Sequence, residues 1–318
     1  MAIPIRMQLL WKALSGLGAG SIYDVPASEL PAARERRKRL LALPGSSTIV
    51  GKVHPEVLAS TKSVDGADGA TISARIYRPA GTVDDLLPAV VHFHGGGFVF
   101  GDPLQSEWWC SSVAHDANVV VVSVDYRQAP EHPFPTPLED AYAATGWTAR
   151  RASDIGADGT RLAVMGDSLG GTLAAAVCLM ARDRGGPDIA FQLLIYPAVD
   201  FANHYPSEDE NALAPILGKA DLSADAIYPQ AVEREPYASP LFGDHHGLPP
   251  ALILTAQHDP LRDQGPAYAN ALCAAGGDAR VTNYVDAVHG FISVPGAVPA
   301  SRQALGDAVS ALRTALHG

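Results

Sequence analysis

The sequence predicts an α/β protein built on a mostly parallel central sheet with helices on both faces. Three observations carry this. Short β-branched runs recur along the chain: PAVVHFH at 88–94, NVVVVSVDY at 118–126, RLAVMG at 161–166, IAFQLLIYP at 189–197 and ALILTA at 251–256. They are apolar at nearly every position, as strands buried on both faces are. Stretches of helical periodicity separate them, at 105–117, 137–151, 169–183 and 263–275. Strand alternating with helix implies parallel pairing through right-handed crossovers.

The remaining elements fit around that core. Residues 1–50 read as amphipathic helix, in two pieces at 7–14 and 28–43. Arg34, Arg36, Arg37 and Lys38 in the second piece read as its solvated polar face. TISARIYRP at 71–79 alternates as a half-buried strand does. A further strand is expected near 279–285 and a closing helix at 300–316. Residues 201–240 contain no strong strand pattern, yet apolar residues still recur there, so they read as an insertion over the sheet and not as a linker.

Composition narrows the function classes. The chain has 318 residues, 47% of them hydrophobic and 18% charged, which supplies a core for one large α/β domain. Its net charge of −11 offers no footprint for nucleic acid or an anionic membrane surface. Cys110, Cys178 and Cys273 are far apart and form no C-x-x-C pair, which argues against a disulfide framework and a structural zinc site. Arg6 and Lys12 interrupt the N-terminal apolar stretch, so no signal peptide is expected there. With no long apolar run for a membrane span, the expected location is cytoplasmic.

The chemistry begins at Gly166-Asp167-Ser168-Leu169-Gly170-Gly171. G-x-S-x-G alone is a weak pattern. Here it follows a predicted strand and opens a predicted helix, the context in which a serine sits on a sharp turn flanked by residues without Cβ atoms. A serine hydroxyl needs a base, and the base needs an orienting acid. The acid and histidine follow in that order along the chain. Asp259 lies just beyond the strand ALILTA, where functional groups collect in open α/β sheets. Asp263 competes as the acid but reads as the start of a helix. His289, in VHGF, is the expected base; His258, adjacent to the acid, is poorly placed to face it.

HGGG at 94–97 follows another strand end. When a serine attacks a carbonyl, the oxygen becomes negative and needs N–H donors already aimed at it. Gly96, Gly97 and Leu169 are the expected donors, with Gly95 shaping the turn or donating as well. His94 is expected to hold that loop. His92 and His94 form an H-x-H pair with no evident third metal ligand, so no metal or cofactor is expected.

These motifs, together with DYRQAPEHPFP at 125–135 and HDPLRDQG at 258–265, resemble the hormone-sensitive-lipase-like esterases, the bacterial family IV carboxylesterases. The resemblance covers about residues 70–318. It implies an α/β-hydrolase fold with a helical cap, the cap coming from residues 1–50 and 201–240 and the catalytic core from 51–200 and 241–318. It implies hydrolysis of small esters with short to medium acyl chains and no cofactor; an amidase, a deacetylase and a non-catalytic receptor are the competing classes. Two positions depart from the family. Gln128 stands where leucine is usual, in a segment read as scaffold. Leu169 stands where alanine is usual, so its side chain either narrows the substrate pocket or fills neighbouring space. Trp11, Tyr23, Tyr205 and Tyr228 are aromatic candidates for the cap. The strand edge near 279–285 offers a surface for a homodimer.

Overall fold

The computed structural model describes residues 3, 5–16, 25–41, 43, 45–82, 85–223 and 232–318. In chain order the first elements are α1 (Ile5–Gly16), α2 (Leu30–Leu41), the single turn α3 (Ser47–Val50), β1 (Val57–Asp65), β2 (Thr71–Pro79) and β3 (Leu87–Phe93). Then come α4 (Glu107–Ala117), β4 (Val120–Asp125), α5 (Thr136–Arg151), β5 (Ala157–Asp167), α6 (Leu169–Asp183) and β6 (Phe191–Ile195). The chain finishes with α7 (Pro206–Glu210), β7 (Ala251–His258), α8 (Gln264–Ala274), β8 (Ala279–Val288) and α9 (Ala300–His317).

Eight strands form one sheet in the order β1-β2-β4-β3-β5-β6-β7-β8. β1 pairs antiparallel with β2, and β2 with β4; every other pairing is parallel. Alternation along the strands divides the core into two layers. Ala89, Val91, Phe93, Val122, Val124, Leu162 and Val164 face one way, onto Leu138 and Ala141 of α5, Leu173 and Val177 of α6 and Tyr268 of α8. Val90, Val121, Ala163, Met165, Leu193 and Leu254 face the other way, onto Trp109 and Val113 of α4 and Ala304 and Leu312 of α9. Because successive residues point to opposite faces and both faces are covered, the strands read as unbroken apolar runs.

Two features differ from the sequence expectation. β1 is an additional strand at one edge. Its middle residues are exposed, so it joins the sheet through backbone pairing with β2 and leaves little hydrophobic pattern. The arginine run of α2 is not uniformly solvated. Arg36 and Lys38 are exposed, but the Arg34 side chain keeps only 19% of its surface and the Arg37 guanidinium lies over the Phe100 ring, 5.5 Å from its centre. The described part of 201–240 contains α7 and a short turn at Lys219–Ser223, and no strand. Tyr23 and Tyr228 fall outside the described residues.

Candidate active site

Ser168 occupies the single residue between β5 and α6. Its φ of 55° and ψ of −125° are strained for a residue with a side chain. Packing enforces this. A Cβ on Gly166 would come 2.0 Å from the Gly170 carbonyl oxygen, and one on Gly170 would come 2.0 Å from that of Phe93. The Ser168 N–H donates to the Ile195 carbonyl at the end of β6 (2.9 Å), tying the turn to the neighbouring strand. The side chain is thereby turned out at the carboxyl edge of the sheet, above the N-terminus of α6.

Two other strand ends bring their residues to the same place. Asp259 follows β7 and is fully buried, and His289 follows β8 and is nearly so. His289 Nδ1 lies 2.7 Å from Asp259 Oδ2, and His289 Nε2 lies 2.9 Å from Ser168 Oγ. A carboxylate only accepts, so Nδ1 carries a proton and Nε2 is left to take one from the serine. Asp259 Oδ1 accepts from the Leu261 N–H (2.8 Å), which fixes the second carboxylate oxygen. The Tyr196 ring packs 4.7 Å from the His289 ring, and Gly290, at φ 74°, turns the chain sharply beyond it.

The alternatives at these positions have other contacts. Asp263 stands before α8 and accepts from the Ser207 N–H (2.9 Å) and from Arg262 (2.8 Å). His258 closes β7, where burial lowers its pKa. His92 Nδ1 lies 2.9 Å from Ser123 Oγ, and its Nε2 lies 3.3 Å from Asp167 Oδ1.

The glycine loop is held by its carbonyl groups. The Gly95 carbonyl accepts from His94 Nδ1 (2.9 Å) and Gln105 Nε2 (3.0 Å). The Gly96 carbonyl accepts from the N–H groups of Phe100 (2.8 Å) and Val99 (3.3 Å). A trans peptide points its N–H opposite to its carbonyl. Tying the two carbonyls down therefore turns the N–H groups of Gly96 and Gly97 to the other side. Gly96 and Gly97 have φ of 122° and 69°, and a Cβ on Gly96 would lie 1.8 Å from the Phe100 carbonyl oxygen. Gly95 is kept bare for a different reason, because a Cβ there would meet Asp167 and the Ser168 Cβ. His94 stacks on Tyr126 at 4.4 Å, and the Tyr126 hydroxyl donates to its carbonyl (2.7 Å). Burial lowers the pKa of His94, outweighing the hydrogen bond to Gly95 and the nearby Asp125.

Several supporting residues were not marked in the sequence, Gln128 excepted, which stood out as a departure from the family. Gln105 and Gln128 act on the glycine loop; Gln128 Nε2 donates to the Gly101 carbonyl at 3.0 Å. From α7, Ser207 Oγ donates to the Pro260 carbonyl (2.7 Å), and just beyond α7, Asn211 Nδ2 donates to that of Asp259 (3.2 Å). Ser207 and Asn211 thus brace the loop that carries Asp259. Leu169, the first residue of α6, is 4% exposed and belongs to the same apolar cluster as Phe98, Val199 and Leu217.

A serine turned out at a strand–helix junction and linked through histidine to a buried carboxylate is the arrangement of a serine hydrolase on an α/β sheet. Residues 90–293 match the family model of the alpha/beta hydrolase fold, and the chain belongs to that family. Its relatives narrow the class. It is 44% identical over 291 residues to the esterase LipI of Mycobacterium tuberculosis, covering 89% of this chain and 88% of LipI. It is 34% identical over 307 residues to an ethyl acetate hydrolase of Pseudomonas putida, covering 94% of each chain. The crystallised hyperthermophilic esterase of the archaeon Pyrobaculum calidifontis superposes with a TM-score of 0.87 at 35% identity, over 99% of both chains. The chain is a carboxylic ester hydrolase of the hormone-sensitive-lipase-like branch, as its motifs suggested. Among the described residues no helix is long and apolar enough to cross a membrane.

Proposed function

We propose that this enzyme hydrolyses small carboxylic esters with short to medium acyl chains through an acyl-enzyme on Ser168. The observation that carries the assignment is the pair of contacts on one imidazole, 2.7 Å to Asp259 and 2.9 Å to Ser168. Ser168 Oγ attacks the ester carbonyl as His289 Nε2 accepts its proton, and Asp259 keeps the imidazole in the correct tautomer and stabilises its charged form. The N–H groups of Gly96, Gly97 and Leu169 receive the oxyanion, and the N-terminal end of α6 adds its dipole. His289 then protonates the departing alkoxide. A water attacks the acyl-enzyme as it gives its proton to the same histidine, and His289 returns that proton to Ser168 Oγ as the acid leaves. Nothing in this sequence of steps draws on a metal or cofactor.

Residues 1–50 and 201–240 form the cap in this reading, with the catalytic core in 51–200 and 241–318. Leu169 borders the pocket at the floor of the site, where its bulk limits the ester accepted. β8 stands at a sheet edge, and two copies of the chain pair along it. The enzyme works in the cytoplasm; in support, Cys110, Cys178 and Cys273 are all free thiols.

Replacing Ser168→Ala tests the assignment. Turnover of p-nitrophenyl butyrate should fall about 10⁶-fold with the fold intact. A fluorophosphonate should label Ser168 in the wild type and leave the variant unlabelled. Wild-type turnover in the variant, or a covalent adduct on another serine, would refute it.

A further inference from the structure

We propose that Arg34 of α2 is a positioning residue for catalysis, acting on the Gly97 N–H through two linked peptide units. The proposal rests on the reading of Gly97 as an oxyanion donor. Arg34 is not the solvated helix residue its charged neighbourhood suggests. Its Nε donates to the Val99 carbonyl (2.9 Å), its Nη2 to the Ala129 carbonyl (2.6 Å), and both terminal nitrogens reach the Glu131 carboxylate (2.9 and 3.1 Å).

The first of these bonds begins a relay. The Val99 carbonyl and the Phe100 N–H belong to one peptide, and that N–H donates to the Gly96 carbonyl (2.8 Å). The Gly96 carbonyl and the Gly97 N–H belong to the next. Each link points its donor away from the group that holds it, because the peptide is trans and planar. Hydrogen bonds in series polarise one another. A permanent cation at the far end therefore draws electron density away from the Gly97 N–H and fixes its direction. Neither effect depends on contact between Arg34 and substrate.

The second bond secures the same loop from the side. Ala129 accepts from Arg34 through its carbonyl and donates through its own N–H to the Phe98 carbonyl (2.9 Å). Phe98 has φ 58°, a strained value for an aromatic residue, and it directly follows Gly97. Around the guanidinium, Leu30, Ala33, Val99, Phe100 and Ala129 form a small apolar cluster of their own, apart from the two layers of the sheet. Helix α2 is thus docked on the oxyanion loop, with the arginine fork at the centre of the contact. Lysine cannot reproduce this, since a single ammonium lacks the planar fork that reaches two carbonyls and a carboxylate together.

The test uses the full chain with Arg34→Lys and Arg34→Ala, assayed on p-nitrophenyl butyrate and with a trifluoromethyl ketone that mimics the tetrahedral adduct. Arg34→Lys should melt near the wild type and keep KM within about threefold, while kcat falls about tenfold to a hundredfold, as expected when an oxyanion donor is misaligned. The inhibition constant of the ketone should rise by the same factor. In Arg34→Ala, millimolar guanidinium ion should restore part of the lost kcat. A folded Arg34→Lys enzyme with wild-type kcat, or a rise in KM alone, would overturn the proposal, and so would a loss that merely follows the folded fraction. Failure of the underlying reading has a different signature: Arg34→Lys would lose kcat while the inhibition constant of the ketone stayed at the wild-type value.

Discussion

The two halves of the site are held in different ways. Around Ser168 the restraint is steric: Gly166 and Gly170 press backbone on backbone, and no side chain can be added without moving a strand. Around Gly96 and Gly97 the same close approach at Gly96 is joined by a polar restraint, with carbonyl groups tied down by His94, Gln105 and neighbouring N–H groups, and Arg34 behind them. A steric lock gives a fixed position and fails abruptly. A set of hydrogen bonds gives a fixed direction and weakens by degrees. In the proposed mechanism Ser168 needs the first, because its attack geometry tolerates little displacement. The proposed donors at Gly96 and Gly97 need the second, because what matters for them is the direction and polarisation of an N–H.

This contrast predicts graded outcomes. The largest belongs to Gly170→Ala. Its Cβ meets the carbonyl groups of Phe93 and His94, so stability should drop by about 3 kcal/mol or more, with nearly all turnover lost; a denaturant titration beside the assay measures both. Gln105→Leu should cost only about 1 kcal/mol of stability, the worth of one hydrogen bond, while kcat falls about tenfold at near-constant KM. If Gln105→Leu lost as much stability as Gly170→Ala, the distinction between the two halves would fail. Leu169→Ala keeps the N–H donor and should have the smallest effect on turnover of small esters. Its chain-length profile should shift toward bulkier esters; an unchanged profile would assign the side chain to packing alone.

The parts that were legible in the sequence are those whose cause is local. The buried strands announced themselves because both faces are covered. Ser168 was marked by glycines at fixed offsets, and Asp259 and His289 by their positions just past strand ends. What was hidden depends on partners distant in the chain. β1 is held by the backbone of β2, so its exposed side chains carry no apolar pattern. Arg34 and Gln105 work on carbonyl groups, which every residue possesses and no sequence displays. Arg34 was concealed further by its neighbours, since a run of basic residues on a helix is usually a wet surface.

The braces from Ser207 and Asn211 bear on how such enzymes are recombined. A segment that covers a pocket is the natural piece to exchange between relatives when a new substrate is wanted. In the proposed cap at 201–240, Ser207 and Asn211 hold the Pro260 and Asp259 carbonyls, so its first part serves the proposed acid as well as the pocket. Cutting before Ser207 would import foreign partners for the Pro260 and Asp259 carbonyls and disturb the acid along with the specificity. On this proposal the interchangeable part starts after Asn211, and a graft made there is expected to alter what the enzyme accepts while leaving intact how it reacts.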